Sequence, residues 1–445
     1  MPFRNSSSSS QKASTSDTVT DTTSTKQQNF TAVVQYDDEY VQPLILDAFK
    51  DVFRNGEVRL VDQLPAADSL SQLMGGSDAA KVVQITQYET LDFELAASKP
   101  SSYLINSYMI RKALIRKHFL STTVDHWVAK RPDSLLKKHV KRSEAFEVDY
   151  AEFLDDALVE AFDLRESCER NEEKSQAEER EWWILKPGMS DRGQGIKLFS
   201  TMEELQGIFD EWEEERPDSD DEDGEGDNEA QDAGNRDYIT TSHLRHFVAQ
   251  PYIHPPLLVD NHKFHIRTYV LCTGSLSVHV YKPMLALFAA KPYVAPWTSS
   301  TDIETFLTNT CLQDSPNANS VRLLSSLQLD PSLLASVEQQ IQELTGELFE
   351  GAARAMPVHF QTMPNAFEVY GLDYMVDVKG DVYLLEVNAF PDFKQTGGEL
   401  KEVVAGFWRG VVRRGVQDWV TGIHEGKKED ADQWAKVREI DLGRR

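Results

Sequence analysis

Cysteine and long hydrophobic runs are both scarce in this chain of 445 residues. Its three cysteines, Cys168, Cys272 and Cys311, lie far apart and form no Cys-x-x-Cys pair. We therefore expect a reducing compartment, with neither a disulfide framework nor a cysteine-ligated zinc site. Apolar runs such as TYVLC and VYLLEV are far shorter than the roughly 20 residues that span a bilayer. The first residues also lack the apolar stretch of a secretory signal, so the expected protein is cytoplasmic and has no membrane segment.

Positive charge is in short supply as well. The 46 Lys and Arg residues against 73 Asp and Glu residues give a net charge of −27, which disfavours binding nucleic acid over a broad surface. The excess is uneven, because residues 210–232 hold fourteen acidic residues and one arginine. We predict a disordered, solvated insertion over 210–237, with a docking strip for a basic partner as the alternative. A Ser/Thr-rich stretch predicts a disordered tail over 1–29.

Between these segments, hydrophobic patterns predict folded α/β structure without internal repeats. FTAVVQYDDEYVQPLILDAFKDVF indicates a strand, a turn and an amphipathic helix, and AAKVVQITQYETLDFELA indicates a further strand. Together they predict a small α/β domain over 30–105. Apolar residues at helical spacing in the acidic stretch 143–181 predict a helix with one buried face.

A glycine-rich loop joins two apparent strands in WWILKPGMSDRGQGIKLF. Lys186 ends the first strand, and Gly188, Gly193 and Gly195 follow it. Glycines let the backbone approach a ligand closely, and a lysine on a strand can meet phosphate charge. The loop is neither a Walker A loop nor a dinucleotide fingerprint, because a strand rather than a helix follows it. An ordinary glycine hairpin is the alternative at this point.

Three basic or ionisable side chains alternate along KFHIRTYVLC. In a strand, Lys263, His265 and Arg267 lie on one face. Such a face favours an anionic ligand. The alternative is an edge strand with its charged face in water, and the apolar continuation YVLC argues against it.

Two oxygen-bearing side chains end the apolar run in LLEVNAFPDF. Glu386 and Asn388 are two residues apart, so they lie on the same face of a strand. The KGD turn before this strand predicts a hairpin, and the pairing we expect brings Asp377 level with Leu384 to Glu386. Three oxygen donors without histidine or cysteine suit Mg²⁺, which is often held together with substrate phosphates. A surface carboxylate is the alternative for each residue taken alone.

The order of these motifs resembles that of the tubulin-tyrosine ligase family, a branch of the ATP-grasp ligases. The motifs are WILKP with its glycine loop, QPYI, KFHIRTYVL, GLDYMVD and LLEVN, and the resemblance covers residues 105 to 420. EVNAFPDFKQTG is most similar to the fungal members. The resemblance implies an α/β (α+β) ATP-grasp fold in which two sheet-containing lobes clamp ATP. The implied parts after the N-terminal α/β domain are a central subdomain over 106–185 that contains the acidic helix, a C-terminal subdomain over 186–420 and a charged tail over 421–445.

The resemblance also implies roles for individual residues. Lys186 is similar to a lysine that contacts phosphate, and Lys263 is similar to a second lysine on the phosphate or the ribose side. Arg267 is similar to the arginine that holds the carboxylate of the incoming amino acid. Arg267, Glu386 and Lys263 are the catalytic residues so implied, and the magnesium ligands are Asp377, Glu386 and Asn388. The other positions implied to bind ATP are Lys112, Arg192, Gly193, Gly195, Gln250, Tyr252, Ile253 and His265.

The activity implied by the resemblance is ATP- and magnesium-dependent ligation of an amino acid to a protein carboxylate through an acyl phosphate. His265 stands where the family has aspartate, and Leu287 stands where it has a second substrate-binding arginine, which indicates a remodelled amino-acid pocket. The expected acceptor is tubulin or another protein. The alternative is an ATP-binding scaffold protein of messenger-RNA decapping or P-body assemblies with little or no ligase activity.

Overall fold

The computed structural model describes residues 30–63, 80–188, 195–214, 246–308, 320–396, 400–422 and 433–442. Within these segments the strands form three sheets. The predicted tail 1–29, residues 215–237 of the predicted insertion, and Arg192 and Gly193 lie outside the described residues. Residues 210–214, which we also assigned to the disordered insertion, belong to the helix Met202–Glu214, so that part of the prediction is wrong. Among the residues described, we find no helix with the length and apolar character needed to cross a bilayer.

The first sheet is parallel and belongs to the N-terminal part of the chain. Its strands are β1 (Phe30–Gln35), β2 (Val58–Val61), β3 (Lys81–Thr86) and β4 (Tyr103–Ile105), in the order β2-β1-β3-β4. The predicted strand, turn and helix are confirmed, because the helix Val41–Val52 follows β1. Its buried residues Leu44, Ile45 and Phe49 pack against the apolar side chains of this sheet.

The second sheet is antiparallel and forms the central lobe. Its strands are β5 (Glu144–Glu147), β6 (Trp183–Pro187), β7 (Lys197–Phe199) and β8 (His246–Pro251), in the order β5-β8-β6-β7. The two strands predicted on either side of the glycine loop are confirmed as β6 and β7. The predicted subdomain boundary after residue 185 falls inside β6, and β8 pairs with both β5 and β6. The central lobe therefore extends to residue 251.

Residues 143–181 do not form the single helix that we predicted. This stretch begins with β5 and continues as the short helices Leu154–Ala157 and Phe162–Glu172. The predicted buried face is confirmed only in part: Leu154, Leu158 and Ala161 are buried, whereas the predicted inward residues Tyr150, Phe153 and Phe162 are exposed. Pairing of β5 with β8 takes the start of the stretch into the sheet, and this tertiary contact overrides the local pattern.

The third sheet has eight strands and forms the C-terminal lobe. They are β9 (Leu258–Val259), β10 (His262–Thr273), β11 (Ser277–Tyr281), β12 (Leu285–Phe288), β13 (Val321–Leu323), β14 (Phe367–Val376), β15 (Val382–Ala389) and β16 (Trp434–Glu439). The central strand β10 pairs with β11 and β12 along one edge and with β14 along the other. The predicted hairpin about KGD is confirmed as β14 and β15.

β16 lies within the predicted charged tail 421–445 and corrects that prediction. It pairs with β11, and its first residue Trp434 packs in a hydrophobic cluster with Tyr281 and Phe407. This part of the tail is therefore a strand of the large sheet, which its charged composition did not indicate.

Helices cover both faces of the large sheet. Pro331–Ala355 packs on one face through residues such as Ile341 and Leu348. Lys401–Val411, which continues as the π-helical stretch Val412–Gln417, packs on the other face. The remaining α-helices within the described residues are Phe93–Ser98, Lys112–Ile115, Lys117–Lys130, Leu136–His139, Met202–Glu214, Ile303–Phe306 and Asp418–Thr421.

Candidate functional site

A cleft with a volume of about 200 Å³ lies between the central sheet and the large sheet. β6 and β8 supply one wall, and β10, β14 and β15 supply the other. The polar residues that line it are Lys117, Lys186, Gln250, Tyr252, Lys263, His265, Thr308, Asp373, Glu386 and Asn388. The motifs that the sequence singled out therefore come together at one place.

Three lysines converge in this cleft. Lys186 Nζ donates to Gln250 Oε1 at 3.1 Å, and Lys263 Nζ donates to the Tyr252 hydroxyl at 2.8 Å. Burial lowers the pKa of Lys186 to about 8 against the opposing effect of Glu386, and burial together with the neighbouring Lys186 lowers the pKa of Lys263 to about 7. An anionic ligand would relieve the cost of burying these ammonium groups, so the cleft suits phosphate.

Two carboxylates and an amide face these lysines. Asp373 on β14 and Glu386 on β15 are directly paired, and Asn388 Nδ2 donates to Glu386 Oε1 at 3.1 Å and to Asp373 Oδ2 at 3.3 Å. Within the described residues, no group of three His, Cys, Asp or Glu side chains could hold a metal by itself. The set fits Mg²⁺, because that ion takes one or two carboxylates and completes its coordination with waters and phosphate oxygens.

The hairpin register differs from the predicted one, and Asp377 does not line the cleft. Its backbone N–H donates to the Asp381 carbonyl, and its carboxylate accepts the backbone N–H groups of Lys379 and Asp381. The prediction that Asp377 stands level with Leu384 to Glu386 is therefore wrong. A bulge between Asp373 and Tyr374 shifts the pairing, so Asp373 meets Glu386.

Sequence reasoning missed Asp373, although the signal was present. Asp373 and Asp377 are four residues apart in GLDYMVD, so an extended strand puts both on one face. The position of the turn decides between them, because it puts Asp377 opposite Asp381; the bulge adds the one-residue offset that brings Asp373 opposite Glu386.

His265 lies against the carboxylate of Asp373 in the buried part of the cleft. Its Nδ1 is 2.6 Å from Thr308 Oγ1, and its Nε2 is 3.6 Å from Asp373 Oδ1 and makes no hydrogen bond within the described structure. Burial lowers the pKa of His265, although Asp373 opposes this effect. The buried Nε2 of His265 therefore faces the Asp373 carboxylate without a hydrogen bond.

Arg267 follows His265 on the same strand face, and its partner is a protein carboxylate. Its guanidinium holds Asp373 through two hydrogen bonds and does not line the cleft. The anion that Arg267 binds in this structure is therefore Asp373. Leu287 pairs with His265 from β12 and is buried in the hydrophobic cluster of the large sheet.

Lys117, and not the predicted Lys112, is the lysine of the IRKALIRK stretch that lines the cleft. Lys112 begins the helix Lys112–Ile115, is exposed and does not line the cleft. Lys117 lines it, with Nζ 3.9 Å from Glu386 Oε2. IRKALIRK contains two Arg-Lys pairs five residues apart, and only the packing of the following helix decides between them.

The other predicted cofactor positions that the structure describes lie at or beside the cleft. Gln250, Tyr252 and Ile253 line it, and Gln250 Nε2 donates to the Lys141 carbonyl at 2.9 Å. Gly195 ends the glycine loop with a positive φ of 69°, a conformation that favours glycine.

The fold and this cleft define the ATP-grasp class, in which the cleft between two lobes binds ATP. The chain belongs to the tubulin-tyrosine ligase family, whose family model matches residues 119–421. The crystal structure of the C-terminal domain of Kluyveromyces lactis Pby1, described as an ATP-grasp enzyme interacting with the mRNA decapping enzyme Dcp2, is similar with a TM-score of 0.67 and 34% identity. The similarity covers 93% of this chain and 99% of that one.

Two fungal sequences are also similar over most of this chain. The probable tubulin–tyrosine ligase PBY1 of Saccharomyces cerevisiae is 44% identical over 383 residues, which are 82% of this chain and 49% of that protein. The probable tubulin–tyrosine ligase of Schizosaccharomyces pombe is 41% identical over 384 residues, which are 86% of this chain and 90% of that protein. This chain thus spans about half of the first relative and most of the second. The human tubulin polyglutamylase TTLL6 is 31% identical over 182 residues, 36% of this chain and 20% of that protein.

Proposed function

We propose that this chain is an ATP- and Mg²⁺-dependent ligase that joins an amino acid to a protein carboxylate. The observation that carries this proposal is the convergence of three lysines and an oxygen-donor set in one cleft between two lobes. Membership of the tubulin-tyrosine ligase family supports it. A protein acceptor, tubulin or another protein, is supported by the similarity to tubulin-modifying relatives.

Lysines hold the triphosphate in this proposal. Lys186, Lys263 and Lys117 approach the triphosphate from both sides of the cleft and neutralise its negative charge. Their positive charge then lies where the γ-phosphoryl group is transferred. Arg192, Gly193 and Gly195 of the glycine-rich loop are assigned to ATP binding by the family resemblance. Gln250, Tyr252 and Ile253 flank the adenine, and His265 Nε2 donates to the nucleotide.

Asp373, Glu386 and Asn388 would hold Mg²⁺, with Asp373 taking the place that we first gave to Asp377. When bound, the ion supplies positive charge against the phosphate oxygens. Arg267 fixes the Asp373 carboxylate, and Glu386 and Lys263 complete the catalytic set.

The reaction has two steps, and the protein positions the reactants in both. A carboxylate oxygen of the acceptor attacks the γ-phosphorus of ATP, the bond to the β–γ bridging oxygen breaks, and ADP leaves. The amine then attacks the acyl carbon, the bond to the phosphate oxygen breaks, inorganic phosphate leaves, and the nitrogen gives a proton to solvent. Chemistry of this kind depends on orientation and charge neutralisation more than on a nucleophilic side chain.

A turnover screen tests the ligase proposal. Purified protein is incubated with MgATP, pooled amino acids and acidic acceptor peptides, with Glu386→Gln as the matched control. ADP release that requires both an amino acid and an acceptor, and that is lost in Glu386→Gln, supports ligation. Tight MgATP binding without turnover under any combination would overturn it.

A second candidate function is an ATP-binding interaction protein of cytoplasmic P-bodies. Two features favour it. Arg267 donates its hydrogen bonds to Asp373 rather than being left for a substrate carboxylate, and the buried Leu287 supplies no charge to an amino-acid pocket. The Kluyveromyces lactis relative is described as interacting with Dcp2. Calorimetry with purified decapping enzyme, with and without MgATP, tests this function directly.

A further inference from the structure

Exposed aromatic side chains are concentrated on one short segment of the central lobe. Tyr150, Phe153, Val159 and Phe162 are 45%, 47%, 55% and 69% exposed, and we call them the 150–162 surface. Within the described residues, eight large hydrophobic side chains are exposed; these four are half of them and include all three aromatic ones. Single exposed apolar residues are normal, whereas a local concentration of them marks an interaction site. None of the four lines the cleft.

The inward positions of the same segment are already filled. Ala151, Leu154, Leu158 and Ala161 belong to the buried core of the central lobe. The segment is also anchored, because Ala151 N–H donates to Glu213 Oε2 at 2.9 Å. The outward residues therefore have no place in this core, and the rings of Tyr150 and Phe153 pack edge to face with centroids 6.1 Å apart.

Acidic residues are interspersed with these apolar side chains along the segment. Residues 147–163 contain seven Asp and Glu residues and no Lys or Arg. Four exposed members, Glu152, Asp155, Asp156 and Glu160, make no ion pair within the described part of the chain. An apolar centre with a negative rim complements apolar side chains flanked by positive ones.

The same charge argument excludes other occupants. Anionic lipid surfaces and nucleic acid would be repelled by the rim. The chain's own residues 215–232 carry ten acidic residues and one arginine, so they would be repelled as well.

We propose that the 150–162 surface binds a segment of a partner protein that presents apolar side chains flanked by Lys and Arg, as a basic amphipathic helix does. Tyr150, Phe153 and Phe162 pack against the apolar face of this segment, and the acidic rim pairs with its basic residues. This docking site is separate from the cleft and goes beyond the proposed ligase activity.

A designed peptide tests the site on the full chain. The probe is a fluorescein-labelled helix of about 14 residues, with leucines at i, i+3, i+4 and i+7 and lysines elsewhere. We expect the double variant Phe153→Ser, Phe162→Ser to weaken its binding by about tenfold or more in fluorescence anisotropy. The matched control is Val358→Ser, Val378→Ser, which changes two residues of similar exposure outside the surface. It should bind as the wild type does.

Further measurements distinguish the proposed partner segment from other molecules that could cover the 150–162 surface. A peptide with glutamate in place of lysine should not bind, and MgATP-dependent thermal stabilisation should be unchanged in Phe153→Ser, Phe162→Ser, which separates this site from the cleft. Equal loss of peptide binding in the test and control variants would overturn the proposal, because it would mean general attraction to an acidic protein. A wild-type dimer in sedimentation that the test variant abolishes would also overturn it, since the occupant would be a second copy.

Discussion

Arg267 holds Asp373 with both ends of its guanidinium fork: Nε donates to Oδ1 at 2.5 Å and Nη2 donates to Oδ2 at 3.0 Å. Both side chains are buried. Burial alone would raise the pKa of Asp373, but the adjacent Arg267 outweighs it and keeps this pKa below its ordinary value. The carboxylate is therefore ionised and fixed in place before any ligand enters.

Removal of this arginine should be costly. Arg267→Met leaves Asp373 buried and unpaired, so we expect a loss of about 3–5 kcal/mol in the free energy of unfolding measured by urea denaturation. The double variant Arg267→Met, Asp373→Leu removes both charges and should recover most of that loss. A single variant that costs less than about 1 kcal/mol would contradict this account of the pair.

The choice of Asp373 over Asp377 as metal ligand can be tested by a matched pair of variants. Asp373→Asn should weaken MgATP binding by about a hundredfold, because it removes one of two carboxylates facing the phosphates. Asp377→Asn should change the MgATP affinity by less than about twofold, since the Asp377 carboxylate accepts backbone N–H groups within the hairpin turn. Calorimetry with MgATP, and with ATP in EDTA, separates the metal contribution. Equal losses in the two variants would refute the assignment.

The faces of strands were predictable from the sequence, whereas the pairing between strands was not. Period-two alternation correctly put Lys263 and His265 on one cleft face and Glu386 beside Asn388. The sequence does not fix where the hairpin turns. The turn puts Asp377 opposite Asp381, and a one-residue bulge then brings Asp373, not Asp377, opposite Glu386.

Long-range contacts account for the other differences in the fold. β16 is a strand because it completes an edge of the large sheet against β11, although its own sequence is short and charged. β5 enters the central sheet by pairing with β8, about a hundred residues away, so its helical spacing misled the prediction. In both places, a tertiary partner decided the structure.

Two neighbouring lysines give a further matched test. Lys117→Met should weaken ATP binding by about tenfold, since Lys117 lines the cleft beside Glu386. Lys112→Met removes an exposed charge outside the cleft and should change the affinity by less than about twofold. Calorimetric measurement of nucleotide affinity checks both variants. A larger effect of Lys112→Met than of Lys117→Met would show that Lys112 is the lysine that binds ATP.

Nucleotide binding should take up protons. Without ligand the pKa of Lys186 is lowered to about 8 and that of Lys263 to about 7, so at pH 8 both lysines are partly neutral. A triphosphate favours the charged form and raises both pKa values, so protons bind with ATP and the affinity falls as pH rises above 7. Calorimetry at pH 8 in two buffers of different ionisation enthalpy should show uptake of about one proton.

A matched pair of variants controls this proton measurement. Lys263→Met should reduce the uptake, because it removes a lysine that is neutral before binding. Lys137→Met changes an exposed lysine outside the cleft and should leave the uptake as it is. No proton uptake in the wild type would show that the lysines are already fully charged.

Leu287 tests whether the amino-acid pocket can be restored by one charge. It is 2% exposed, pairs with His265 and belongs to the same hydrophobic cluster as Tyr269 and Phe407. Leu287→Arg puts an unpaired guanidinium into that cluster, so we expect a loss of about 3–5 kcal/mol in urea unfolding and no gain of amino-acid-dependent turnover. Leu287→Met keeps the volume and should cost less than about 1.5 kcal/mol. A stable Leu287→Arg protein that gains turnover with any amino acid would show that this position faces substrate.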